Sequence, residues 1–468
     1  MVTVTRPAWS PSPLSSPEGG RRRSEYHDAT TMAVLFAGHM ALALAMHQVR
    51  ALATLHALVV TVLGVRYAAS RHDGHKAIYV LAYVATSDVL WRMTHAAVFW
   101  EYGKYSMVLI LLVLIAKERR YPGLMSLAAL YWLLLMPSVA FSVADLGISS
   151  ELRKDLSFNL SGPLTLAMAV IYFSGYAGRR FPLAGMLAWA IYPVAGCFAI
   201  ALYSTLTATQ LNFGNFANMA TSGGFGPNQV SSILGLGVFF CLILAVKITE
   251  PWVRVLALGA AAVLGFQAIL TFSRGGTINV LIAMGLFGFH SLTNSRARRG
   301  FFVVGVLAVL IGTFLLFPRL NEWTHGMVAK RFTSFDTTGR QSLIEADIQL
   351  FFENPALGVG PGQSKRLRRS YMQNVASHTE FTRLLAEHGS LGVAAMLLIC
   401  IIAAKAYQLA PTLVAKGWVA SFAAWTLANM AHSGMRLAAM GFVFGLATLP
   451  FHRWRRQEAA AAEETLGG

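Results

Sequence analysis

The sequence runs to 468 residues, 55% of them hydrophobic and only 13% charged, with a mean hydropathy of +0.54. A soluble globular chain carries about 25% charge, so this composition excludes an ordinary water-soluble enzyme. The formal net charge of +17 would point to nucleic acid in a soluble protein. In a chain of apolar runs it is accounted for by basic residues gathered on the cytoplasmic side of a membrane, and no nucleic-acid partner is expected.

The apolar residues fall in runs close to the roughly 20 that cross a bilayer as a helix. In chain order they lie at about 31–48, 51–68, 75–91, 103–116, 122–141, 161–177, 182–205, 229–246, 253–271, 276–293, 300–318, 391–408, 414–431 and 433–450, fourteen in all. The short alternating strands of a membrane β-barrel are not what such long runs describe. The first thirty residues are rich in Pro, Ser and Arg, and Arg21, Arg22 and Arg23 precede the first run without a cleavable signal pattern. That order predicts a disordered cytoplasmic tail ahead of a retained membrane helix. Cys197, Cys241 and Cys400 lie in apolar runs without CxxC spacing. They read as small buried apolar side chains, not as a zinc site or a disulfide framework.

The charges between the runs set the sidedness. Arg66, Arg71 and Lys76, the Lys117 to Arg120 run, Arg179 and Arg180, the Lys247 to Arg254 stretch, Arg296 to Arg299, and Arg453, Arg455 and Arg456 all fall on one side of the alternating helices. The positive-inside rule makes that side cytoplasmic and puts both termini there. The other side receives the 92–102, 142–160, 206–228 and 319–390 connections. The last is too long to lack structure of its own. The expected organisation is therefore a tail over 1–30, a transmembrane bundle over 31–318, a long loop over 319–390, membrane helices over 391–450 and a tail over 451–468.

Within the long loop, Thr337 or Thr338 caps a predicted helix that runs to about Phe352 and is stopped by Asn354-Pro355. Gly358-Val359-Gly360-Pro361-Gly362 must turn or pack closely. A basic run follows at Lys365, Arg366, Arg368 and Arg369. A second short helix is expected from near Ser377, with Phe381, Leu384 and Leu385 on one face. Gly389 and Gly392 mark its junction with the next membrane helix.

Three basic side chains stand out chemically. Arg274 lies on the side disfavoured for cations and is followed by Gly275 and Gly276, which let another group approach the backbone. It either snorkels to headgroups or contacts an anionic substrate. Arg340 opens the first loop helix, an end that prefers an anion. It shares a face with Ile344, Asp347 and Phe351, and Asp347 either orients a polar partner or makes a surface salt bridge. His378 is a side chain that acts as a base near neutral pH. Glu380 diverges from it on a helix, so any orienting carboxylate comes from elsewhere. Ser377 reads as a helix cap before a nucleophile.

The basic run suits a diphosphate or anionic lipid headgroups. Glu345, Asp347, Glu353, Glu380 and Glu387 largely balance the loop's charge. The 206–228 connection is uncharged and rich in Asn, Gln and Gly, which suits sugar hydroxyls as well as a simple capping loop. Arg92, Glu101 and Lys104 flank another connection, either as a structural ion pair or as the lining of an acceptor groove. There is no P-loop, HExxH, GxSxG or dinucleotide fingerprint, and no dense Asp/His group. No cofactor or metal is expected. A transfer in which cationic side chains stabilise a departing phosphate fits.

Four segments, Ser273-Arg274-Gly275-Gly276, Gly339-Arg340, Asn354-Pro355 through Gly362, and His378-Thr379-Glu380-Phe381 with Leu384, Leu385, Glu387, Gly389, Leu391 and Gly392, resemble in order and spacing the bacterial O-antigen ligase and O-antigen polymerase superfamily. Gly226-Pro227-Asn228 is similar to a further family feature. The resemblance implies an all-α polytopic protein of the inner membrane, glycosyltransferase-C-like, with about 12–14 transmembrane helices and a partly helical periplasmic loop. It implies a glycan donor on polyprenyl diphosphate, Arg274 and Arg340 on the diphosphate, and His378 activating an acceptor hydroxyl. Asn228, Glu380 and the basic run would also touch substrate. The family commonly carries Asn directly after this His, where Thr379 stands here. Direct displacement would invert the anomeric centre. Polymerisation of surface-polysaccharide repeat units is the preferred reading, with membrane lipids, an acceptor glycan and a chain-length regulator as partners. The alternatives are ligation to lipid A core or protein, and transport of a lipid-linked glycan.

Overall fold

Runs of Leu, Ala, Val and Phe become helices, several of them opened by the side chains of Asp28, Ser149, Thr379 and Thr412. The computed structural model describes residues 28–118, 123–176, 178, 181–214, 216–291, 314, 317–333, 340–368 and 375–451. Among them there is no strand. The first eleven helices are α1 (Ala29–Gln48), α2 (Arg50–Ala69), α3 (Gly74–Met93), α4 (Tyr102–Glu118), α5 (Met125–Leu134), α6 (Val139–Leu146), α7 (Ser150–Ser174), α8 (Leu183–Thr207), α9 (Pro227–Lys247), α10 (Pro251–Leu270) and α11 (Arg274–Ser291). The loop region adds α12 (Phe317–Trp323), α13 (Met327–Thr333), α14 (Arg340–Glu353) and α15 (Ser364–Leu367). The chain closes with α16 (Glu380–Leu409), α17 (Leu413–Ser433) and α18 (Ala438–Ala447).

Among the described residues, eight stretches are long and apolar enough to cross a membrane: α1, α2, the α5–α6 stretch, α7, α8, α9, α10 and α16. The protein is an all-α, multi-pass membrane protein. α2 leaves Leu55, Leu58, Val59 and Val62 exposed, and α10 and α11 expose Val255, Val263, Ile278 and Leu281. A water-soluble surface would not carry such stripes. In lipid they are the ordinary outer face. Cys400 belongs to that face, exposed on α16, whereas Cys197 and Cys241 are buried as expected. The 1–27 tail segment, the 300–313 part of the eleventh run, Thr337, Thr338, Arg179, Arg180, Arg369 and the 452–468 tail lie outside the described residues.

Lipid tails are as apolar as Leu, so helices in a membrane associate through close packing and small residues. Gly276 of α11 lies so close to α9 that an added Cβ would sit 2.1 Å from the Ser231 carbonyl oxygen. Gly441 of α18 similarly abuts Leu166 of α7 at 2.8 Å. Trp418 and Phe422 of α17 stack at 4.1 Å, and Phe422 reaches Phe239 of α9 at 5.1 Å.

Three boundaries differ from the sequence reading. The expected 142–160 connection is mostly helix. α6 takes its first part, and α7 starts at Ser150 because Ser149 accepts the Leu152 N–H at 3.1 Å and Glu151 occupies the first turn. α7 therefore carries polar turns ahead of its apolar part. Thr379, not Ser377, caps α16, accepting the Thr382 N–H at 3.1 Å. The last apolar run, expected to be helical from 433, is helical only from Ala438. Gly434, at φ 58°, breaks it and leaves Met435, Arg436 and Leu437 in an irregular turn. Gly389 marks the loop–membrane junction as the sequence suggested. At φ 58°, ψ −136° it kinks α16, and the Ser390 N–H donates to the Pro355 carbonyl at 2.8 Å.

Candidate active site

The α10–α11 turn, the start of α9, the long loop and the α17–α18 turn meet at one end of the bundle. Arg331 Nε donates to the Phe272 carbonyl at 3.0 Å, which fastens the loop to the α10–α11 turn. Phe272 is fully buried with a φ of 55°, a conformation costly for a bulky residue. Arg274 opens α11 two residues on. Ser231 Oγ donates to the Ser273 carbonyl at 2.9 Å, and Ser273 Oγ donates to Asn228 Oδ1 at 2.8 Å. The Asn228 oxygen also faces Arg340 Nη2 at 3.5 Å. Asn228 thus gathers the starts of α9, α11 and α14. The sequence treated Gly275 and Gly276 as openings for an approaching group. The groups that approach are protein: the His432 ring beside Gly275 and the Ser231 backbone beside Gly276.

Arg340 is half-buried, and burial together with the neighbouring Arg274 charge lowers its pKa from the usual guanidinium value. A guanidinium remains charged under such pressure. Like charges at the starts of α11 and α14 thus act on one another, an arrangement that suits an anion. Among the described residues no carboxylate pairs with Arg340.

His378 stands on the extended segment before α16. Its Nδ1 faces the Ala376 carbonyl at 3.1 Å. A carbonyl only accepts, so Nδ1 carries the proton and Nε2 presents the lone pair. The orienting group is thus a backbone carbonyl, not a carboxylate. Burial first, then the charges of Arg436, Arg340 and Arg368, lower the pKa of His378 below the usual imidazole range. The ring is neutral at pH 7 and able to accept a proton.

Arg436 was concealed in an apolar run. Its Nη2 donates to the carbonyls of Ser377 at 2.8 Å and Ala376 at 3.4 Å, so it grips the segment that carries His378. An ionisable residue inside an apolar segment next to Gly434 was the available signal.

The other basic residues are held by carboxylates. Lys365 donates to Asp155 at 2.5 Å, and Arg366 donates to Glu151 at 2.6 Å and Asp155 at 2.7 Å. Both join the loop to the polar first turns of α7. Arg368 pairs with Asp347 at 2.5 Å and also reaches Ser377 Oγ. Asp347 accepts Thr382 Oγ1 at 2.9 Å as well. With Asp347 1% exposed, this is a buried bridge between α14 and α16, not the surface salt bridge the sequence left open. Glu380 accepts Arg383 at 3.0 and 2.5 Å and the Met435 N–H at 3.2 Å. Arg383 also holds Glu387 at 2.6 Å.

The glycine turn lies flat on α16. Val359 N–H donates to the Ala386 carbonyl at 2.9 Å, and Gly360 N–H to Glu387 at 3.0 Å. Gly358 (φ 67°) leaves no room for a Cβ, which would lie 2.4 Å from the Glu387 backbone. The loop is therefore a helical cover seated on the bundle end. Among the described residues no three His, Cys, Asp or Glu side chains gather as a metal-ligand set.

A polytopic membrane protein with paired arginines and a neutral histidine under a helical cover is the class that this fold and site define. Residues 259–397 match the family described as O-antigen ligase. The matched stretch contains Arg274, Arg340, the glycine turn, the basic run, His378 and Glu380. Asn228, Arg92 and Arg436 lie outside it. No curated protein matches the chain.

Proposed function

We propose that the protein is a membrane glycosyltransferase that takes a glycan from a polyprenyl-diphosphate carrier and ligates it to a hydroxyl acceptor, lipid A core or a protein. The family match is to ligase, so it supports this reading over the repeat-unit polymerase that the sequence alone favoured. The observation that carries the chemistry is Arg340, whose charge is coupled on one side to that of Arg274 and on the other to a neutral His378.

In this mechanism the acceptor oxygen attacks the anomeric carbon as the bond from that carbon to the diphosphate oxygen breaks. His378 Nε2 takes the acceptor's proton. Arg274 and Arg340 stabilise the charge that develops on the leaving diphosphate, with Asn228 holding Arg340 in place. One displacement inverts the anomeric centre, and no metal enters the step. Lys365, Arg366 and Arg368 seat the cover over the site. The bundle is glycosyltransferase-C-like with about 12–14 spans in the bacterial inner membrane. Both termini are cytoplasmic and the 319–390 loop is periplasmic.

Reconstitution with a defined polyprenyl-diphosphate oligosaccharide, with and without lipid A core, tests the reading by product size. Transfer in one piece to the added acceptor is the expected result. A ladder of longer lipid-linked chains restores the polymerase reading. Absence of any sugar transfer from a cognate donor sinks both.

A further inference from the structure

The two halves of the proposed site, the arginine pair and the histidine, sit on different elements, and one buried side chain touches the supports of both. Arg92, in the last turn of α3, is 8% exposed. Its Nη1 donates to Gln229 Oε1 at 2.9 Å and to the Arg436 carbonyl at 3.2 Å. Gln229 is the residue after Asn228, which holds Arg340. Arg436 grips the two carbonyls ahead of His378. Arg92 Nη2 meets both Asp88 oxygens at 3.0 Å, and Asp88 Oδ2 accepts the Ala438 N–H at 3.1 Å. The Asp88–Arg92 pair therefore holds the 436–438 turn at two points and the α9 start at a third. Trp100 covers the guanidinium at 5.0 Å. Taking two charges out of water is expensive and needs further hydrogen bonds to offset it. Here the further hydrogen bonds go to Gln229, Arg436 and Ala438, and Glu101 lies beside the guanidinium as a second carboxylate at 3.8 Å.

We propose that Arg92 is a positioning residue that fixes the distance between the diphosphate-binding half and the base half of the site. It touches no reacting atom. The inference rests on the reading of His378 as the base. Misplacement of about 1 Å between reacting groups costs on the order of 100-fold. A lysine at 92 keeps the charge but cannot bind Asp88 through two bonds while serving two more acceptors.

The test is transfer kinetics on reconstituted protein. Arg92→Lys is expected to lower kcat by about tenfold or more while the donor KM stays within about threefold. Gln229→Leu removes only the link to the α9 start and no charge, and lowers kcat in the same direction. It keeps the proposal falsifiable where Arg92→Lys does not fold. The hydrogen bond between His290 and Tyr407 at 2.9 Å, which joins α11 to α16, is the control. It bonds neither the α9 start nor the 436–438 turn, so Tyr407→Phe lowers thermal stability but leaves kcat per folded molecule within about threefold. Finally, Arg92→Lys added to His378→Ala costs no more than about threefold beyond His378→Ala alone, because the residue acts through the base.

An unchanged kcat in both Arg92→Lys and Gln229→Leu overturns the inference. So does equal loss of kcat in the Tyr407→Phe control, or full multiplication of losses in the double variant. Inactive His378→Ala beside an unimpaired Arg92→Lys defeats this inference alone. Wild-type transfer by His378→Ala defeats the base reading itself.

Discussion

Two clusters of cations occupy the same end of the molecule and differ in what faces them. Lys365, Arg366 and Arg368 each end on a carboxylate. Arg340 ends on an amide oxygen and lies within reach of a second guanidinium. Charge that is neutralised within the protein fastens one segment to another. Charge held against a like charge leaves a potential for a ligand to satisfy. By count the basic run is the more conspicuous feature of the sequence. Among the described residues it is the basic run that meets carboxylates, and Arg340 that meets none.

The sharpest way to break this comparison is at the second cluster. His378→Ala is expected to reduce transfer by about 10²- to 10⁴-fold with donor binding retained. Arg340→Gln is expected to lower kcat by about 10²- to 10³-fold, since it removes a donor aimed at the leaving group. Transfer kinetics with a defined donor check both. The pH profile adds a signed expectation. Burial and the charges of Arg436, Arg340 and Arg368 disfavour the imidazolium of His378, so its pKa is lowered. The active neutral form therefore persists below the ordinary value of 6.5, and kcat/KM falls only as pH drops through the lowered pKa. An acid limb above pH 6.5 would count against a base in this environment.

Intermediate effects belong to the seating of the cover. Asp347→Ala leaves Arg368 buried, 3% exposed, without its carboxylate. Removing one partner of a buried pair costs about 3–5 kcal/mol. Thermal unfolding in detergent should show a large drop, accompanied by protease sensitivity within the loop. A Tm near the wild-type value would show that the α14–α16 bridge is not what holds the cover.

Much of this was legible in the chain. Arg274, Arg340 and His378 were visible because each interrupts a pattern: a cation at the less basic membrane face, a cation at a helix start, a histidine before an apolar helix. Apart from 300–318, each apolar run overlaps a described helix, though 122–141 is split between α5 and α6 and 433–450 is helical only over Ala438–Ala447. What could not be read was pairing across distance. Asp155 lies far from Lys365 in sequence, and its position in a polar helix extension was mistaken for a connection. Arg436 was hidden because the residues after it are apolar enough to extend a helix backward over it. Only the positive φ of Gly434 reveals the break. The role of Arg92 depends on three segments that meet only in the fold.

The smallest expected effect is the most discriminating between the clusters. Arg366 is partly exposed, and its partner Glu151 is 64% exposed, so that pairing is screened by solvent. Its other partner, Asp155, is buried but keeps Lys365 at 2.5 Å when Arg366 is lost. Arg366→Gln should therefore cost less than about 1 kcal/mol of stability. Because the charge it removes is already matched by Asp155, donor KM should also stay within about twofold. Thermal unfolding and donor titration of the same preparation measure both. A donor KM raised by about tenfold with stability intact would mean that Arg366 leaves its carboxylates to meet the diphosphate, and the division between fastening and binding cations would fall.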